Sequence, residues 1–329
     1  MKEILRHLFE YKTFTRQEAY KILTNIATGK YETHQIAAFM TTYGMRSIRV
    51  EELGGFRDAM YDLCLKMDFD GYDLIDMCGT GGDGKNTFNI STLASLIVAG
   101  AGYHVAKHGN VGVSSGCGSS NIMENMGYHF TNDKETLQKQ LDEANICFLH
   151  APLFHPAMKT VAPIRRALGV KTFFNMLGPL TNPANPKFQS VGVFNLELAR
   201  LYTYLYQNTD KQYSIIHALD GYDEISLTGD FKCINNAGEQ YFSVDELGFE
   251  KVKACDIAGG ETVEEAAKIF QQILKGKGTS AQNNVVLTNA AFAIKTFHPE
   301  KTFGDCYYEA EESLLGLKAL NSLKIITNA

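Results

Sequence analysis

A cationic excess is the first thing the sequence lacks. Its 329 residues hold 31 Lys and Arg against 37 Asp and Glu, a formal net charge of −6. Binding to a nucleic-acid backbone is driven by surplus Lys and Arg, so nucleic acid is excluded as the main partner. No stretch of apolar residues long enough to cross a bilayer runs without a charge or a glycine break, which excludes a membrane span. The seven cysteines (Cys64, Cys78, Cys117, Cys147, Cys233, Cys255, Cys306) are dispersed and form no C-x-x-C. They read as reduced thiols, which points to the cytoplasm. The opening MKEILRHLFEYK has a helical period and acidic residues where a signal peptide would have an apolar core and a cleavage site. Internal repeats and low-complexity segments are missing too.

What is present is the make-up of a soluble globular protein, 45% hydrophobic and 21% charged. At roughly 100 to 200 residues per domain the length suggests about two domains, with chain enough to bury a core without disulfides. The acid surplus is local. Residues 1–70 carry ten basic and ten acidic side chains, 71–200 ten and nine, and 201–329 eleven and eighteen. The middle of the chain, where glycines crowd, is therefore nearly neutral and electrostatically open to a small anion.

The first 70 residues read as short helices: Thr15 with Glu18 makes a capping-box pattern, and 36–40 and 56–65 continue the helical period. From Tyr72 short apolar runs (74–78, 104–106, 146–150, 189–194 and 213–219) alternate with helical patterns at 91–99, 120–126, 196–207 and 263–274. That alternation predicts an α/β fold with a mostly parallel central sheet. Residues 231–242, turning at Asn235-Asn236-Ala237-Gly238, predict a β-hairpin, and the tail from Gly278 reads as helical. Residues 156–182 form a helical insertion able to fold back on the N-terminal helices. The expected organisation is a small all-helical domain, 1–70 joined by about 156–184, and a large α/β domain over 71–329.

The most informative stretch is LIDMCGTGGDGKNTFNIST, residues 74–92: a strand, a glycine loop, then Asn89 or Ser91 as a helix N-cap. Gly79, Gly81 and Gly84 satisfy G-x-G-x-x-G, but a dinucleotide site needs a helix opening inside the motif and an acid ending the next strand. Here that strand ends in Lys107-His108-Gly109. Gly79 to Lys85 also fits G-x-x-x-x-G-K, yet Asn86 stands where a P-loop needs a hydroxyl for Mg²⁺. What remains is a loop whose backbone N–H groups, with a helix N-terminus, can surround a phosphate-rich ligand. A second polar glycine loop, residues 107–120, follows the next strand. Loops after neighbouring parallel strands meet at the sheet's carboxyl edge, so the two point to one site.

Together GTGGDGKNTFNIST (79–92), KHGN (107–110), SSGCGSSNIMENMG (114–127), FHPAMKTVAPIRRALGVKTFFNMLGPLTNPA (154–184) and DGYDEIS (220–226) resemble the anthranilate phosphoribosyltransferases, collinearly over essentially the whole chain. Pyrimidine nucleoside phosphorylases share that fold and a similar glycine loop, but the 154–184 segment is similar to the anthranilate enzymes. The resemblance implies transfer of the phosphoribosyl group of phosphoribosyl pyrophosphate to the amine of anthranilate, in tryptophan biosynthesis, with Mg²⁺ as cofactor. It also implies a homodimer through the N-terminal helices.

By the same resemblance, Gly79, Gly82, Asp83, Thr87, Asn89, Ile90, Ser91, Thr92, Lys107, His108, Gly109, Asn110, Ser114, Ser115 and Ser119 line the phosphoribosyl pyrophosphate site. Gly79, Asn110 and Arg165 serve anthranilate, and Ser91, Asp223 and Glu224 serve Mg²⁺. No strong catalytic base is expected, since an aromatic amine is a neutral nucleophile at pH 7; Lys107 and Asp83 act electrostatically. Taken alone, Ser91 is equally an ordinary N-cap, Asp223-Glu224 an ordinary solvated pair, and His108 and His155 hydrogen-bonded structural histidines. Arg165 competes with Arg166, about 100° away on a helix, to fork onto a carboxylate. Many family members carry Arg directly after KHGN; this chain has Val111, one positive charge fewer in the phosphate loop.

Overall fold

The computed structural model describes residues 1–112 and 117–327. These fall into two compact units, 1–68 with 151–185, and 69–150 with 186–327.

The first unit is helical: Lys2–Phe9, Arg16–Ala27, Thr33–Met45 and Val50–Asp62, then Ala151–Phe154, Met158–Leu168 and two 3₁₀ turns, Phe173–Met176 and Gly178–Leu180. The capping box at Thr15 forms as the sequence suggests: its hydroxyl accepts the Glu18 N–H at 3.3 Å, and Glu18 accepts the Thr15 N–H at 2.9 Å. Helices 16–27 and 50–62 approach closely because Gly55 has no side chain; a Cβ there would stand 2.8 Å from that of Ala19. The second segment starts at Ala151, ahead of Pro156. It packs on the first through the Phe39, Phe56 and Phe173 rings, with Phe56 and Phe173 stacked at 4.6 Å. Backbone bonds tie it further: the Leu65 N–H donates to Phe154 O at 2.7 Å and the Met67 N–H to Pro183 O at 3.0 Å.

The second unit is built on a seven-stranded sheet: β1 Leu74–Met77, β2 His104–Gly109, β3 Ile146–His150, β4 Phe188–Gly192, β5 Gln212–Ala218, β6 Phe231–Asn235 and β7 Gly238–Phe242. The order is β3-β2-β1-β4-β5-β6-β7. The first five strands pair in parallel, and β6 and β7 add the antiparallel hairpin. The fold class read from the pattern of strands and helices is thus borne out. Helix Ile90–Gly100 is apolar nearly all round, helix Ser280–Phe297 is buried over most of 285–296, and both contribute to the core.

One strand runs well beyond its apolar run at 104–106. β2 runs to Gly109, because Lys107, His108 and Gly109 continue the parallel ladder opposite Phe148, Leu149 and His150. Lys107 and His108 therefore belong to the sheet and not to the loop. The sheet also sets a crevice. From β1 the chain steps to β2 and β3 on one side and later returns to β4 on the other, so β1/β4 is the point where connections diverge and ligands of open α/β sheets bind. Among the described residues no helix is long and apolar enough to cross a membrane.

Candidate functional site

The glycine loop leaves the carboxyl end of β1 beside that crevice. Gly81, Gly82 and Gly84 all have φ between +63° and +78°, a region costly for any residue with a Cβ, which is why glycine recurs here. The loop's second half is held by a segment the motifs did not flag: the Phe88 N–H donates to Ile257 O at 3.1 Å, the Gly259 N–H to Asn86 O at 2.8 Å, and Asn86 Nδ2 to Gly260 O at 2.8 Å. Thr87 lies opposite Ala258 in an antiparallel bridge. The helix that follows opens at Ile90, beyond the G-x-G-x-x-G glycines. Ile90 and Thr92 bury their side chains.

Asn89 occupies the cap position but does not cap; its Nδ2 donates to Cys117 O at 3.0 Å. The capping group comes from far along the chain: the Ser91 N–H donates to Glu224 Oε1 at 2.9 Å. Helix N-termini leave N–H groups unpaired and favour negative charge, so a carboxylate from another loop fits there. The neighbouring Asp223 is buried and accepts the Gly81 N–H at 2.6 Å. A Cβ on Gly79 would stand 2.8 Å from Asp223 Oδ2. Both acids, with Gly79, Ser91, Ser190, Gly192 and Asn289, line one cavity at the β1/β4 crevice.

The second loop reaches the same edge. Asn110 O accepts the Ser120 N–H at 3.2 Å and the Ser119 hydroxyl at 3.3 Å. Gly109 leaves room for Ser119, whose Oγ a Cβ would meet at 2.5 Å. Lys107 is buried, and its ammonium donates to Met77 O at 2.5 Å, at the last residue of β1. The His108 N–H donates to the buried Asp76 at 3.1 Å. Ser114 and Ser115 lie outside the described residues.

The electrostatics are unbalanced. Burial pushes the Asp223 carboxyl well above the usual carboxylate range, and repulsion from Glu224 and Asp83 adds to it. Burial also raises Glu224 from its ordinary 4.5 to about 7, with Asp83 adding to the rise and the Ser91 N–H and Lys107 opposing it. Cys78, just before Gly79, is pushed up by burial to about 12, so it is a neutral thiol and no nucleophile. Acids held this way are short of positive charge. Among the described residues no three His, Cys, Asp or Glu side chains cluster as a metal site. The chemistry of two neighbouring carboxylates fits Mg²⁺, a hard cation that takes oxygen ligands and binds through one or two carboxylates plus substrate phosphates.

The glycosyl transferase family's α/β-domain model matches residues 71–319, and its helical-bundle-domain model matches 2–64. An anthranilate phosphoribosyltransferase of Christiangramia forsetii is 57% identical over 98% of each chain, and one of Bacteroides thetaiotaomicron 52% identical over 98% of each. The chain belongs to the anthranilate phosphoribosyltransferase family. The solved enzyme of that name from Thermus thermophilus is similar with a TM-score of 0.91 and 29% identity, over 98% of each chain. That of Saccharomyces cerevisiae, in complex with phosphoribosyl pyrophosphate and Mg, gives 0.90 and 25%, over 98% of this chain and 96% of the other.

The loop residues 79–92, Lys107–Asn110, Ser119, Asp223 and Glu224 all lie in the α/β unit, at or next to the carboxyl edge. Arg165 lies in the helical unit. It is half-buried, donates to Asn175 Oδ1 at 3.3 Å and sits 5.7 Å from the Phe174 ring, while Arg166 is exposed. His108 and His155 are both buried. Sequence reasoning missed Gly192, Asn289, Asp76 and the 257–260 segment. Only the Gly259-Gly260 pair carried a local signal; the others are unremarkable residues of a strand or helix.

Proposed function

We propose that the chain catalyses transfer of the phosphoribosyl group of phosphoribosyl pyrophosphate to the amine of anthranilate, giving N-(5-phosphoribosyl)anthranilate and pyrophosphate in tryptophan biosynthesis. The observation that carries this reading is the pair of the buried Asp223 and the partly buried Glu224, set against the Gly79–Thr92 loop and a helix N-terminus. In the reaction the bond from ribose C1 to the pyrophosphate oxygen breaks, the bond from C1 to the amine nitrogen forms, and the nitrogen releases a proton to solvent. The transition state has oxocarbenium character on the sugar, with negative charge gathering on the leaving group.

The residues divide that work. Backbone N–H groups of Gly79 and Gly82 approach the phosphates, Asn89, Ser91 and Ser119 add hydrogen bonds, and Lys107 holds a fixed positive charge behind the loop. Asp83 accepts from ribose hydroxyls or water. Ser91, Asp223 and Glu224 would hold Mg²⁺, which when bound would supply the positive potential that steadies the departing pyrophosphate. Asn110, Gly79 and Arg165 bind anthranilate, Arg165 through its carboxylate. No residue is needed as a strong base.

The reading extends to a homodimer in the cytoplasm. Phe9, Tyr11 and Met45, on or just after the N-terminal helices, leave large apolar surfaces exposed at 64%, 86% and 85%, which supports association there. All seven cysteines are free, which supports a reducing compartment. Incubation with anthranilate, phosphoribosyl pyrophosphate and Mg²⁺ tests the function through loss of anthranilate fluorescence. Activity only with thymidine or uridine and phosphate would sink it.

A further inference from the structure

Asn289 is buried in helix Ser280–Phe297, among apolar neighbours where a carboxamide is costly unless fully bonded. It is fully bonded. Oδ1 accepts the Ile225 N–H at 3.1 Å; Nδ2 donates to Ile225 O at 2.8 Å and to Val285 O, one turn back in its own helix, at 2.8 Å. The carboxamide thus meets Ile225 as a neighbouring strand would, exchanging both backbone bonds. Its orientation is fixed, because a flip would set NH₂ against N–H. The Ile225 N–H belongs to the peptide that begins at the Glu224 carbonyl, and Asn289 lines the same cavity as Asp223 and Glu224. On the other side of the pair, Gly192 lies against the Asp223 carbonyl with no room for a side chain. The acids sit in irregular chain between β5 and β6, followed by Leu227 at φ +55°, so no ladder holds them.

We propose that Asn289 is the positioning residue of the Asp223-Glu224 pair: by gripping Ile225 at both backbone groups it holds the two carboxylates in the geometry that binds the divalent cation. It acts through the backbone of Ile225, to which its carboxamide is bonded on both sides. The inference rests on the Mg²⁺ reading of the pair. Outer partners of metal ligands are worth about 10- to 100-fold in affinity, and Asn289→Ala, or the shape-preserving Asn289→Leu, is expected to weaken cation binding by about that factor.

The test follows Mn²⁺ alone by water-proton relaxation, in the wild type, in both Asn289 variants and in Asp223→Asn/Glu224→Gln. The expected result is loss of bound Mn²⁺ in the double variant and weakened binding in the Asn289 variants. In turnover, the Mg²⁺ concentration for half-maximal rate should rise by a similar factor while the KM for anthranilate stays put. If the double variant loses Mn²⁺ but an Asn289 variant binds it as the wild type does, with or without a lower Tm, the inference is overturned and the metal reading stands. If the double variant binds Mn²⁺ normally, the metal reading falls and the inference with it.

Discussion

Gly192, at the end of β4, lies against the carbonyl oxygen of Asp223 so closely that even a methyl group would overlap it. The contact is backbone to backbone, and neither side can swing away. Gly192→Ala should therefore shift the acid loop and cost at least the upper part of the about 1–3 kcal/mol usual for overpacking. Urea unfolding should show a lower midpoint, and the Mg²⁺ requirement should rise. A variant with wild-type stability and rate would show that the loop is free to move.

Replacing the acids themselves separates charge from shape. Asp223→Asn with Glu224→Gln keeps the volume and the acceptor for the Ser91 N–H, so the fold should survive, with an unchanged circular dichroism spectrum, while turnover is abolished. Near-normal rates at low Mg²⁺ would refute the metal assignment.

Glu224 also sets a pH dependence. Its folded-state value of about 7 lies above its ordinary 4.5, so the metal-free fold retains a proton that the unfolded chain gives up across that window. Its contribution to stability is full below about 4.5 and is lost as pH rises through about 7. Melts without metal should give a lower Tm at about pH 8 than at about pH 5, Glu224→Gln should flatten the difference, and Mg²⁺ should restore the Tm at the higher pH. Because the proton and the cation compete for one carboxylate, the Mg²⁺ needed for half-maximal rate should rise as pH falls.

Val111 is 42% exposed in the loop after β2, where the family resemblance leads one to expect Arg. Val111→Arg adds a positive charge near the proposed phosphates with no core to disturb. The KM for phosphoribosyl pyrophosphate should fall, more at low ionic strength than at high, and an unchanged or raised value would count against this account.

Arg165 and Arg166 differ in environment, and the half-buried one is the better anchor. Losing a charge-assisted hydrogen bond costs about 1.5–3 kcal/mol, so Arg165→Ala should raise the KM for anthranilate by about 10- to 100-fold. Arg166→Ala should leave it near the wild-type value. Steady-state kinetics varying each substrate in turn decides between them.

Much of this was legible in the sequence because it is written locally. Periodicity marks the helices, alternation marks the strands, Thr15 and Glu18 spell their own cap, and Asn235 to Gly238 spell the hairpin turn. The two glycine loops suggested the proposed phosphate site for the same reason: a chain that must approach a ligand closely needs glycine wherever it stands. Asp223 and Glu224 were readable only through their resemblance to a family, since adjacent acids are usually solvated.

The tertiary structure decided what depends on distant partners. Lys107 became a buried sheet residue because β3 continued the ladder beside it. Glu224 became the partner of the Ser91 N–H in a helix's first turn, 133 residues earlier, and Asn289 the brace of a loop 64 residues before it. Such contacts leave no trace in neighbouring residues. A carboxamide in an apolar helix or a glycine ending a strand looks ordinary until folding sets another backbone against it, and only then does the identity of the side chain acquire its reason.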